Sequence, residues 1–292
     1  MSETRDLPVM VGVDGSESAT RAVRWAAREA AGRGVPLVLV SVWTPVPPGV
    51  PHAATLGPYE DGLIEQGRQW LADAAAAAAQ EAPDVPAGTR LASGSVAGQL
   101  VGRSAAAGLM VLGSRGLGGF TGLLVGSIAV AVATHGHCPV VVVRGTPAQE
   151  GPVLVGVDGS PTSREAIRFA FDAAALRDAP LVAVHAWRDA SAAARHGVRG
   201  QDAQEQALRE HGAQALDRWL ADARADHPDV RVERVVAPDG PTAALLDRAK
   251  DSRLVVVGSR GRGGFRGLLL GSTSQALIYH APCPVAVVPP AE

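Results

Sequence analysis

VLGSRGLGGFTGLLVGS, residues 111–127, returns as VVGSRGRGGFRGLLLGS, residues 256–272, with thirteen of the seventeen positions identical. Each copy leaves an apolar run, crosses six glycines and ends on Gly-Ser ahead of a second apolar segment. That order reads as a buried strand, a loop and the start of a helix. Two further pairs keep the same register. Met10-Val-Gly-Val-Asp-Gly-Ser16 answers Leu154-Val-Gly-Val-Asp-Gly-Ser160, and Trp70-Leu-Ala-Asp-Ala74 answers Trp219-Leu-Ala-Asp-Ala223. A repeat of this length is a duplicated domain, not a solenoid unit. The polar, Pro- and Gly-bearing stretch 145–152 is the expected joint, which gives domains over 1–147 and 152–292.

Within each half short apolar runs alternate with longer amphipathic ones. Strands are expected at 9–14, 37–43, 89–92, 109–113 and 140–143, and at 181–187, 230–236, 254–258 and 285–288, with the repeat supplying the one that ends in Asp158. Ala19, Ala22, Val23, Ala26 and Ala30 recur at helical spacing after the first strand. In the second half Ser160-Pro161 opens the matching helix with a cap residue and a first-turn proline. Alanine-rich helices are expected over 63–79 and 207–223, after a proline-rich loop at 44–58 in the first half. Further helices are expected at 96–106 and 242–250, and from Ser127 and Ser272. Continuous apolar strands between amphipathic helices specify a parallel sheet covered on both faces. The fold class is therefore α/β, as two tandem five-stranded parallel-sheet sandwiches.

Composition narrows the function. With 27 basic and 29 acidic residues and a formal net charge of −2, nothing favours nucleic acid or an anionic membrane surface. No apolar run is long enough to span a bilayer, and the N-terminal stretch lacks a basic-then-apolar leader pattern. Cys138 and Cys283 occupy matching positions in His135-Gly-His-Cys-Pro139 and His280-Ala-Pro-Cys-Pro284. Two such cysteines suit a reducing compartment, so a cytoplasmic protein is expected. Lys250 is the single lysine, which removes the cation that many nucleotide enzymes use.

Glycines after a strand and before a helix can aim several N–H groups at one point, and the helix adds its own unpaired donors and positive dipole end. Such a loop suits phosphate. The common versions do not fit. A Walker loop would end in Lys-Ser or Lys-Thr, and the dinucleotide spacing G-x-G-x-x-G is missed by one position. The spacing present is Gly113, Gly116, Gly126-Ser127 and again Gly258, Gly261, Gly271-Ser272, each set preceded by Asp-Gly-Ser and followed by His-x-x-Cys-Pro.

This pattern resembles the universal stress protein family in its ATP-binding branch, and the resemblance covers both halves. It implies an adenine nucleotide alpha hydrolase-like, Rossmann-like fold and one adenine nucleotide per half, ATP with Mg2+. It implies phosphate contacts at Gly113, Ser114, Arg115, Gly116, Gly118, Gly119, Gly126, Ser127 and Ile128 in the first half. The second-half set is Gly258, Ser259, Arg260, Gly261, Gly263, Gly264, Gly271, Ser272 and Thr273. Gly12, Val13 and Asp14, with Gly156, Val157 and Asp158, are placed beside the adenosine, and Val42 and Ala186 offer backbone groups to the adenine edge. Leu117 and Thr121 in one loop are replaced by Arg262 and Arg266 in the other, so the second loop is the more basic.

Plainer readings stand beside these. The glycines could serve only the close packing of a helix on the sheet, although their repeated spacing and strand-end location favour phosphate. The two aspartates could cap turns instead of touching ligand. Arg115 and Arg260 could be solvated instead of pairing with phosphate. His135, His137 and His280 come without a complete ligand set, so no metal site is assigned. Trp70 and Trp219 read as packing residues. No catalytic base or nucleophile stands out, and the resemblance implies a nucleotide-binding regulator of a stress or dormancy response. A slow ATPase or nucleotidyl-transfer enzyme is the alternative, and a flavin or dinucleotide carrier the third possibility. The apolar fifth strands suggest an internal pseudo-dimer of the halves and a homodimer of chains, acting on an unidentified regulatory partner.

Overall fold

The computed structural model describes residues 7–46, 57–117, 125–145, 148, 150–186, 201–262 and 270–291. The chain forms two compact units, Met1–Val143 and Arg144–Glu292. The first runs β1 (Val9–Gly12), α1 (Glu17–Arg33), β2 (Leu37–Trp43), α2 (Gly57–Glu81), β3 (Ala87–Ser93), α3 (Val96–Ser104), β4 (Leu109–Gly113), α4 (Ser127–His135) and β5 (Val140–Val143). The second repeats it as β6 (Val153–Gly156), α5 (Pro161–Leu176), β7 (Leu181–Ala186), α6 (Gln201–Asp226), β8 (Val232–Ala237), α7 (Pro241–Arg248), β9 (Leu254–Gly258), α8 (Ser272–His280) and β10 (Val285–Val288).

All strand pairs within a unit are parallel, in the order β3-β2-β1-β4-β5 and β8-β7-β6-β9-β10. The chain builds outward from β1 in one direction and then crosses to β4, so the order reverses between β1 and β4, and likewise between β6 and β9. Loops leaving the carboxyl ends of those two strands diverge and leave a crevice.

Burial explains the sequence pattern. Val9, Val11, Leu109, Met110, Val111 and the whole of β5 are buried, because helices cover both faces of the sheet. The edge strands differ. Most of β3 is exposed, and Glu233 and Arg234 stand in the open on β8. Polar edges of this kind discourage pairing with other chains. They also carry little apolar signal, and accordingly β3 and β8 are the strands whose ends depart most from expectation. Helix α1 buries Ala19, Ala22, Val23, Ala26 and Ala30, starts on Ser16 and stops at Gly34 in the left-handed conformation. Helix α2 starts at Gly57, earlier than the proline-rich segment suggests. Pro58 sits in its first turn, where its missing N–H costs no helical bond. Residues 47–56 of that segment lie outside the described residues. No helix among the described residues is long and apolar enough to cross a membrane.

Cys138 and Cys283 precede β5 and β10 and are buried free thiols. Burial pushes both thiols up from 9.0 to about 12. Neither is expected to react with a disulfide reagent at mildly alkaline pH in the folded chain, and both are expected to react once it is unfolded in guanidinium. Because the folded pKa is the raised one, their contribution to stability is complete below pH 9.0 and declines as pH rises from 9.0 toward 12. Thermal unfolding across that range checks the sign.

Candidate functional site

In the first unit, β1 and β4 end side by side at the crevice. The carboxylate of Asp14 ties the two loops together. Its Oδ1 accepts from the N–H of Ser16 at 3.1 Å and from its hydroxyl at 2.7 Å, and its Oδ2 accepts from the N–H of Leu117 at 3.2 Å. The Ser16 hydroxyl also lies 3.3 Å from the carbonyl of Arg115, a second acceptor for its one proton, and the N–H of Arg115 donates to Ser18 Oγ at 3.3 Å. The second unit repeats the brace. Asp158 Oδ1 accepts from the N–H of Ser160 at 2.9 Å, and Oδ2 accepts from the N–H of Arg262 at 2.9 Å. Thr162 takes the place of Ser18 and donates its hydroxyl to the Arg260 carbonyl. Both aspartates therefore act in this structure as turn and loop braces.

The glycines divide into two kinds. Some are demanded by the protein's own packing. A Cβ on Gly113 would lie 2.7 Å from the Ser18 backbone, and one on Gly258 would lie 2.7 Å from the Thr162 hydroxyl. On Gly116 and Gly261 it would meet Asp14 and Asp158 at 2.4 and 2.6 Å. For these four the packing explanation suffices. Gly126 and Gly271 are different. Their φ values, −73° and −69°, suit any residue, and among the described residues the nearest atoms to an added Cβ stand at 3.8 and 3.5 Å. They are also helix N-caps, where Ser, Asp or Asn would stabilise the helix more.

The consequence is an electrostatic asymmetry. Two helices start at each crevice. Helix α1 is capped by Ser16, whose Oγ accepts from Ala19 N–H at 3.1 Å, and it carries Glu17 in its first turn. Helix α5 is capped by Ser160 through Ser163 N–H at 3.2 Å. Helices α4 and α8 start on glycine with no side-chain cap bond. Their first N–H groups have no intrahelical acceptor, and their dipoles present positive ends. A polyanion placed between the loop and α4 or α8 would meet donors that no described side chain caps, and capped ones at α1 or α5.

The other expected residues fall as follows. Ser114 and Ser259 are buried, and their N–H groups are taken up by the carbonyls of Val143 at 3.1 Å and Val288 at 2.7 Å. The N–H groups of Gly126 and Gly271 close the loop on the Ser114 and Ser259 carbonyls, both at 2.8 Å. Ser127 and Ser272 are exposed, and Ile128 and Thr273 are half-buried beside them. Arg115 and Arg260 are exposed. Val13 and Val157 are core residues whose N–H groups bond the Val40 and Val184 carbonyls, each at 2.8 Å. Gly12 and Gly156 end β1 and β6, and Val42 and Ala186 are half-buried at the ends of β2 and β7, in register with Ala92 and Ala237. Gly118, Gly119, Gly263 and Gly264, with Thr121 and Arg266, lie outside the described residues.

Sequence reasoning missed the neighbours of the tryptophans. Trp70 lies against the turn after β1. Gly15 there has φ +80°, and a Cβ on it would be 2.2 Å from the indole nitrogen. A cavity of about 90 Å³ lies beside it, lined by Val13, Thr20, Trp70 and Asp73 among others. Trp219 occupies the matching place beside Gly159, φ +75°. The signal was present, since both tryptophans belong to a repeated pentapeptide, but helical spacing alone assigned them to packing.

Comparison with known proteins agrees with this architecture. The family model described as the universal stress protein family matches residues 7–144 and again 151–289. A universal stress protein of Mycobacterium tuberculosis is 37% identical over 303 residues, covering 98% of this chain and 97% of its own. Another from Mycolicibacterium smegmatis is 38% identical over 293 residues, covering 97% of each. Among solved structures, a universal stress protein from Archaeoglobus fulgidus superposes over 98% of this chain and 97% of its own, with a TM-score of 0.72 at 20% identity, which shows the shared fold. A doubled five-stranded sandwich, a family model matched twice and a near full-length match to two universal stress proteins leave one assignment: the chain belongs to the universal stress protein family.

Proposed function

We propose that each unit binds one adenine nucleotide, ATP with Mg2+, at its crevice, and that the chain is a cytoplasmic regulator in which nucleotide occupancy selects the conformation a protein partner senses. The observation that carries this is the uncapped start of α4 and α8. Glycine stands where the backbone and the described surroundings would accept a side chain, and where Ser or Asp would stabilise the helix. A residue that forgoes that stabilisation twice, at equivalent positions, fits a group from outside approaching the backbone closely. Phosphate is the anion such a helix start suits. Adenine is supported by the likeness of the loop spacing to the ATP-binding branch of the family.

The chain's own residues would divide the work. The N–H groups of Ser127 and Ile128, and of Ser272 and Thr273, receive phosphate oxygens, with the Ser127 and Ser272 hydroxyls beside them. Arg115 and Arg260, exposed at the rim, supply counter-charge. Asp14 and Asp158 hold the loops in place and stand near the sugar. Mg2+ would travel with the phosphates and neutralise part of their charge. Among the described residues of either crevice none is placed as a nucleophile, and turnover is expected below about one per second, under the usual enzyme range.

Calorimetry of the purified full chain with ATP and Mg2+ tests this. Saturable binding approaching two equivalents per chain is expected, with hydrolysis followed in parallel. No heat up to millimolar ATP would refute the nucleotide reading, and rapid phosphate release would move the protein to the enzyme class. Light scattering with and without ATP tests association of two chains.

A further inference from the structure

Of the positions at which the two crevices differ, one faces the tryptophan. In the first unit Leu117 follows Gly116 and is 61% exposed. In the second, Arg262 follows Gly261, and its guanidinium lies over the indole of Trp219, 5.1 Å from the ring centroid. A Cβ on Gly159 would be 2.5 Å from its Nη2, so the guanidinium also covers the turn that leads into α5.

Both ends of this contact are held. Trp219 packs edge-on against His185 at 5.2 Å, and His185 Nδ1 hydrogen-bonds the Val157 carbonyl at 2.8 Å. The backbone of Arg262 is fixed at the crevice lip by its N–H bond to Asp158 Oδ2 at 2.9 Å. Only the long side chain is free to choose between partners. In the first unit the counterpart of His185 is Ser41, which is buried, and Leu117 offers no charge.

We propose that Arg262 is a phosphate-binding residue of the second unit, which exchanges its contact with Trp219 for the polyphosphate when nucleotide binds, so that the two units select differently. This rests on the adenine-nucleotide reading above and extends it. An exposed cation–π contact is worth about a two- to five-fold factor in equilibrium, whereas a guanidinium takes a phosphate through paired, charge-assisted hydrogen bonds that are stronger. The exchange therefore favours ATP. It gives nothing to a ligand without phosphate, so the second unit prefers a nucleotide over its nucleoside more strongly than the first.

The test labels the full chain with 5-fluorotryptophan and follows it by fluorine NMR, with the Trp219 resonance assigned by Trp219→Phe. Addition of ATP and Mg2+ is expected to move that resonance toward the position it holds in nucleotide-free Arg262→Leu. The substitution copies the Leu117 of the first unit at an exposed position, so the variant is expected to fold normally. In calorimetry, Arg262→Leu is expected to weaken one of the two ATP equivalents about ten-fold and leave adenosine binding as in the parent, with Arg262→Lys intermediate. Full ATP binding with an unmoved Trp219 resonance, or unchanged ATP affinity in Arg262→Leu, overturns the transfer and leaves the nucleotide reading standing. A chain that binds no ATP in either experiment overturns both.

Discussion

Placing aspartate at Gly126 and Gly271 yields a chain that is at least as stable as the parent and binds ATP about a hundred-fold more weakly, a change of about 2.7 kcal/mol. The two effects have opposite signs, which is what makes the result informative. Aspartate is a better N-cap than glycine by a few tenths of a kcal/mol, and its charge suits the helix dipole. The described surroundings leave room for the Cβ, with nothing closer than 3.8 Å at Gly126 and 3.5 Å at Gly271. The same carboxylate occupies the first N–H groups of α4 and α8 and repels an incoming phosphate at close range. Thermal unfolding and calorimetry on one preparation read both quantities. A variant that gains stability and keeps its ATP affinity would mean that the helix starts are not the anion site.

The second large effect falls on stability. Gly113→Val and Gly258→Val are each expected to cost about 3 kcal/mol or more, because a side chain there overpacks a region with no slack. At Gly113 the obstacle is the backbone of Ser18 in the first turn of α1, which cannot move without shifting the helix that covers the sheet. At Gly258 the Thr162 hydroxyl stands at 2.7 Å and its backbone at 3.0 Å. Urea denaturation monitored by circular dichroism gives the number. A loss under about 1 kcal/mol would show that α1 and the loop repack easily. The same geometry makes these variants poor probes of nucleotide binding, since a loss of affinity would follow from damage to the fold. The aspartate exchange separates the two.

Those two pairs of glycines show where reading the chain ends. Four strands were legible to the residue. β4, β5, β9 and β10 begin and end where the apolar runs do, because a strand buried on both faces admits only apolar side chains and stops where a glycine, a proline or an arginine interrupts the run. The edge strands β3 and β8 were placed less closely, since one open side leaves composition nearly free. Duplication of the domain, the α/β class and the position of the crevice all follow from patterns that repeat over a few residues, and such patterns survive in one dimension.

The use of each site residue did not. Asp14 and Asp158 could be read as ligand contacts or turn caps, and only the fold revealed a brace to loops about a hundred residues away in the chain. Trp219 and Arg262 are distant in sequence and stacked in space. A glycine looks the same in a sequence whether a neighbouring backbone fills the place of its Cβ, as Ser18 does for Gly113, or the described neighbours leave that place open, as at Gly126. Periodicity and composition determined which residues are buried and in what order the elements come. Contact across the crevice, a matter of ångströms between segments that meet only after folding, decided which glycines have a neighbour in the place of a side chain and which have none among the described residues.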